Sequence, residues 1–105
     1  MTAAEPIVYV IDDEAPIRDS LAMLLRSVGL ASALFPDAQC FLAASPWQGH
    51  ACVIADVRMP GMSGLELQEA LRARGEALPV VIVTGHGDVA MAVRAMKNGA
   101  ADFLE

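Results

Sequence analysis

Ile7-Val8-Tyr9-Val10-Ile11-Asp12-Asp13-Glu14 joins five consecutive apolar residues to three acids. An apolar run of strand length, with no polar residue at alternate positions, suits a strand buried on both faces of a sheet. The acids then fall where the strand leaves the sheet. The arrangement recurs further along. Cys52-Val53-Ile54-Ala55 delivers Asp56, and Pro79-Val80-Val81-Ile82-Val83 runs into Thr84. Ala31 to Phe35 reads as a weaker strand followed by Pro36 and Asp37, and Ala101-Asp102-Phe103-Leu104-Glu105 begins a fifth.

Segments of helical period separate these runs. Ile17, Leu21, Leu24, Leu25 and Val28 lie on one helical face, with Pro16 at a plausible first helical position and Gly29 as the stop. Asp37 can cap a short helix reaching about Ala43, and Pro46 to His50 is a turn-rich loop. Ser63-Gly64-Leu65-Glu66 has the form of a capping box, after which Leu67, Ala70 and Leu71 mark a buried face that ends at Gly75. Asp88 is an N-cap candidate for a fourth helix carrying Val89, Ala92, Val93 and Met96, closed by Asn98-Gly99.

The order is therefore β-α-β-α-β-α-β-α-β. Right-handed crossovers place the helices on both faces of a parallel sheet, which predicts an open α/β sandwich. At 105 residues the chain fits one domain, taken as residues 1–105. Its net charge of −6, from 13 acids against 7 bases, disfavours nucleic-acid binding by this segment, because neutralising phosphates requires a basic face. No apolar run approaches the length needed to span a bilayer, and Met1 to Pro6 lacks a signal-peptide core, so a cytoplasmic location is expected. Cys40 and Cys52 have no metal-binding spacing and are expected to be reduced, buried thiols.

Sites in open parallel sheets form beyond the carboxyl ends of the strands, where strand order reverses. In a flavodoxin-like order, Asp12, Asp13, Asp56 and Thr84 would converge on one edge. Clustered carboxylates repel and raise one another's pKa, so a cation should offset them; all-oxygen ligands with open positions for water favour Mg²⁺. Each residue alone has a plainer explanation. Asp12 or Asp13 could cap a helix, Asp56 could serve a turn before Pro60, and Thr84 could be an ordinary strand residue. It is their joint placement at the ends of apolar strands that points to a site. His86 reads as an exposed loop histidine, Met59 and Met62 as packing residues or adaptable partner contacts, and Trp47 and His50 suggest no role.

The segments Val10-Ile11-Asp12-Asp13-Glu14, Ala55-Asp56-Val57-Arg58-Met59-Pro60-Gly61-Met62-Ser63-Gly64, Val81-Ile82-Val83-Thr84-Gly85-His86-Gly87 and Lys97 to Glu105 resemble the receiver domain of bacterial two-component response regulators. The likeness covers essentially the whole chain and is greatest to the FixJ/LuxR-output subfamily, whose output domains bind DNA. It implies a flavodoxin-like (CheY-like) sheet in the order 2-1-3-4-5. It implies that Asp56 accepts a phosphoryl group from a sensor histidine kinase. It implies Mg²⁺ bound by Asp13, Asp56 and the backbone carbonyl of Arg58, with Asp12 acting through a water. Thr84 would contact the phosphoryl group, and Phe103 would be an aromatic switch moving with it. A receiver of this kind is not an enzyme beyond its own phosphorylation and dephosphorylation. Pro60 would stiffen the loop, and Gly64 would ease the tight start of the helix behind Ser63.

The family also carries a lysine, usually followed by a proline, just where this chain stops, and then a last helix. The expectation is a C-terminally truncated receiver with no output domain. Phosphorylation of Asp56 would then be impaired, and an uncovered apolar face would favour self-association or exchange of elements between chains. Three other readings compete. A Mg-dependent phosphatase of the haloacid-dehalogenase type would need D-x-D after the first strand, where Asp12-Asp13 are adjacent. A flavin carrier would need a hydroxyl- and glycine-rich phosphate loop there. The third is a structural receiver fragment not competent for phosphorylation.

Overall fold

The computed structural model describes residues 6–47, 50–56, 59–76, 78–83 and 102–104, the last stretch as backbone. The elements are β1 (Ile7–Ile11), α1 (Ala15–Ser27), β2 (Ala31–Phe35), α2 (Ala38–Ala43), β3 (Ala51–Asp56), α3 (Gly64–Ala73), β4 (Val80–Val83) and β5 (Asp102–Leu104). The strands form one parallel sheet in the order β2-β1-β3-β4-β5, as expected. The fourth helix expected from Asp88 lies outside the described residues.

Because crossovers are right-handed, the reversal at β1 sends α1 to one face and α2 and α3 to the other. Alternate strand residues sort accordingly. Tyr9, Ile11, Val53, Ala55, Val80 and Ile82 pack with Ala38 and Phe41 of α2 and Leu65, Leu67 and Leu71 of α3. Val8 and Val10 point the opposite way, toward the side where α1 lies against β1 and β2.

Local chemistry sets the helix ends. Asp37 caps α2 by accepting the Cys40 N–H at 2.7 Å. Ser63 and Glu66 form the expected capping box, with both bonds at 3.1 Å. Gly29 at φ +80° and Gly75 at φ +73° let α1 and α3 finish in paired reverse bonds, Leu30 N–H to the Leu25 carbonyl at 2.9 Å and Glu76 N–H to the Leu71 carbonyl at 3.0 Å. Pro16 sits at the second helical position, after Ala15, where its missing N–H also costs nothing.

The expectations for the two cysteines and for Trp47 change, while α1 leaves its apolar stripe open. The apolar stripe of α1 is not buried: no residue of the helix is, and Ile17, Met23, Leu24 and Val28 are exposed, Leu24 by 61%. A helix can bury only what a neighbouring layer covers, and among the described residues α1 packs chiefly on β1 and β2. The cysteines are free but not buried: Cys40 lies on the outer side of the short α2 and Cys52 is half-covered. Asp37 raises the Cys40 thiol pKa through their hydrogen bond, and burial raises that of Cys52. Trp47 has a structural part, stacking on Phe41 with ring centres 4.7 Å apart and donating its indole N–H to the Phe41 carbonyl at 3.0 Å. Tyr9 and Phe35 complete this aromatic cluster around the fully buried Phe41 ring.

Candidate functional site: an acid cluster at the sheet edge

Register places the acids. Ile11 is level with Ala55 in the parallel β1–β3 pair, so the next residues, Asp12 and Asp56, emerge side by side. The β1–β2 ladder runs on to Asp12, whose N–H donates to the Phe35 carbonyl at 3.2 Å. Its carboxylate therefore starts from a fixed backbone. Asp13 follows one residue later, where the chain turns toward α1. Carboxylate oxygens of Asp12, Asp13 and Asp56 all come within 4.8 Å of one another. Asp12 is buried, Asp13 exposed and Asp56 half-buried, so the cluster opens to solvent on one side.

Neither Asp12 nor Asp13 serves as a helix cap. The N-cap of α1 is Glu14, with no side-chain cap bond. Asp12 instead accepts the Glu14 N–H at 2.9 Å, a local turn that orients its carboxylate. The Arg18 guanidinium, one turn into α1, donates to the Asp12 main-chain carbonyl at 2.6 Å. Burial is the main cause of a raised Asp12 pKa, with the neighbouring Asp56 and Asp13 charges adding to it. The Glu14 bond and the Arg18 charge oppose the rise.

The donor set suits a hard divalent cation. It consists of carboxylate oxygens only, it carries mutual repulsion that a cation would relieve, and it leaves an open side for water. Of the other expected site residues, Arg58 and Thr84 lie outside the described residues. Val83, the residue before Thr84, pairs with Asp56 across β3–β4. The backbone of Phe103 is in β5, opposite Ile82. Met59 is buried in the core and Met62 packs against it, so packing rather than partner contact accounts for both. Gly61, at φ +79°, passes so near α2 that an added Cβ would meet the Gln39 side chain at 3.3 Å.

A parallel sheet in this order with an aspartate cluster at its switch point narrows the choice of family. Residues 8–105 match the family described as the response regulator receiver domain. The chain belongs to this family. Among similar proteins, the transcriptional regulatory protein FixJ of Bradyrhizobium diazoefficiens is 55% identical over 98 residues, spanning 93% of this chain and 48% of that protein. The response regulator protein TodT of Pseudomonas putida is 42% identical over 104 residues, 99% of this chain and 46% of that protein. This receiver thus spans about half the length of the curated relatives it matches. The crystal structure of FixJ-N superposes with a TM-score of 0.89 at 44% identity, covering 98% of this chain and 82% of that one. The receiver fold and the likeness to FixJ expected from the sequence are both upheld, and nothing in these likenesses supports the phosphatase alternative.

Arg18 and Trp47 escaped the sequence reading. Each acts through a contact six residues away, and no short motif announces such a contact. The signal available for Arg18 was its position, one turn beyond the acids and the sole base in Asp12 to Arg26 before the last turn of α1.

Proposed function

We propose that this receiver is a phosphorylation-controlled switch in two-component signalling, with Asp56 as the phosphoryl acceptor. The observation that carries this is the position of Asp56, level with Asp12 at the carboxyl edge of a receiver sheet and within 4.8 Å of two further carboxylates. The donor would be the phosphohistidine of a cognate sensor kinase. An oxygen of the ionised Asp56 carboxylate forms a bond to phosphorus as the phosphorus–nitrogen bond to the kinase histidine breaks. Such transfer demands little of a protein beyond alignment and charge neutralisation.

The carboxylate cluster suits Mg²⁺; by the family likeness Asp13, Asp56 and the Arg58 carbonyl would hold it, with Asp12 acting through a water. When bound it supplies charge neutralisation between carboxylates and donor phosphoryl oxygens. The chain's own residues do the rest. Asp12, fixed by the sheet ladder and the Glu14 N–H, anchors the acidic loop. Thr84 would donate to the new phosphoryl group, and Phe103 would follow it into a second packing. These two roles rest on the family likeness. The activity is that of a switch rather than a turnover enzyme. Its location would be the cytoplasm, and its output, by analogy with the transcriptional regulator FixJ, gene expression through a DNA-binding part beyond this segment. Self-association through the exposed apolar side of α1 belongs to the same proposal.

A small-molecule phosphodonor tests the reading. Acetyl phosphate with Mg²⁺ should label the chain, and chelating the metal should stop the labelling. Labelling that is indifferent to chelation would count against the site.

A further inference from the structure

We propose that Arg18 is a counter-charge beside Asp12 in the acid cluster, a positioning residue that steadies the Asp12-Asp13 loop without metal and weakens the hold on a divalent cation. The inference rests on the metal-site reading above. Three carboxylates lie with oxygens within 4.8 Å of one another, and one of them, Asp12, is buried. Their repulsion is largest when no cation is bound. The loop bearing them is pinned from two sides. The Glu14 N–H holds the Asp12 carboxylate at 2.9 Å, and Arg18 Nη1 holds the Asp12 carbonyl at 2.6 Å.

Among the described residues, Arg18 is the cation whose charge acts on Asp12. Guanidinium does not deprotonate in a protein, so this charge is permanent. It lowers the cost of ionised carboxylates in the metal-free chain. The same charge repels an arriving divalent ion. One side chain thus stabilises the empty cluster and lowers its affinity, which suits a site that must load and release its ion.

The two effects have opposite signs, and that separates this role from a merely structural one. Arg18→Gln should bind Mg²⁺ about fivefold more tightly in a calorimetric titration at fixed ionic strength, since a unit charge beside a divalent ion near a protein surface has an effect of that order. In EDTA the same variant should unfold at a temperature lower by about 4 °C, having lost both tether and counter-charge. Arg18→Lys keeps the charge and should stay within about twofold of the wild-type affinity. If Arg18 only shaped the loop, Arg18→Gln would be less stable and would also bind Mg²⁺ more weakly; equal or weaker binding by a folded Arg18→Gln chain overturns the proposal. Should that variant be unfolded in EDTA, Mg²⁺ must restore its fold, and failure to do so at saturating Mg²⁺ equally overturns it. A wild-type chain that takes up no Mg²⁺ refutes the metal-site reading itself, a result distinct from any failure of Arg18.

Discussion

Asp12 bears the electrostatic cost of the site. It is 6% exposed, and burial together with the Asp56 and Asp13 charges raises its pKa above the ordinary aspartate value. An acid whose folded pKa exceeds its unfolded pKa destabilises the fold once it ionises. The penalty grows as pH rises from the unfolded toward the folded pKa and is complete above it. Lowering the pH through that window removes it. Asp12→Asn keeps an acceptor for the Glu14 N–H and deletes the charge. The variant should therefore be more stable by about 1 kcal/mol at neutral pH in EDTA, and by nothing near pH 3, as read by urea unfolding at the two pH values. It should also bind Mg²⁺ more weakly. Asp12, Asp13 and Asp56 were legible in the sequence because strand ends and the switch point fix where side chains emerge. Arg18 was not, since its bond to the Asp12 carbonyl depends on how α1 turns away from the sheet.

At the scale of elements, the helix ends were the most legible features. The Ser63/Glu66 box, the Asp37 cap and the glycine stops at Gly29 and Gly75 involve neighbours three to five residues apart, so short motifs encode them fully. Ser63→Ala removes the acceptor for the Glu66 N–H and should destabilise the chain by about 1 kcal/mol in chemical denaturation. The variant should leave the mapped acceptor residue unchanged. Burial was less legible than helicity. The period of Ile17, Leu21, Leu24, Leu25 and Val28 identified the helix correctly. Period alone does not say which neighbour covers a stripe, and here Leu24 and Val28 face solvent. The cysteines make the same point: residue type suggested burial, and the outer side of a short helix gave Cys40 exposure instead.

For the molecule as a whole, one face of the sheet is closed by α2 and α3, and the acids lie at its edge. The core runs from the aromatic cluster of Tyr9, Phe35, Phe41 and Trp47 through Val53 and Ile82 to Leu67 and Leu71. It holds the carboxyl ends of β1 and β3 together, and so fixes the acids. On the α1 side, Ile17, Met23, Leu24, Val28 and Leu34 expose apolar surface. Light scattering across a concentration series should show reversible dimers or larger species. Leu24→Glu, which puts a charge into that surface, should shift the population to monomer; a wild-type chain that stays monomeric at high concentration would sink the association.

Every other step of the switch depends on Asp56 as the phosphoryl acceptor. Mass-spectrometric mapping after incubation with acetyl phosphate and Mg²⁺ tests it most directly, on this chain and on one extended past Glu105. A single phosphoryl group is expected on the peptide carrying Asp56, lost in Asp56→Asn. A phosphoryl group mapped elsewhere, labelling that survives Asp56→Asn, or no labelling of either chain would contradict it.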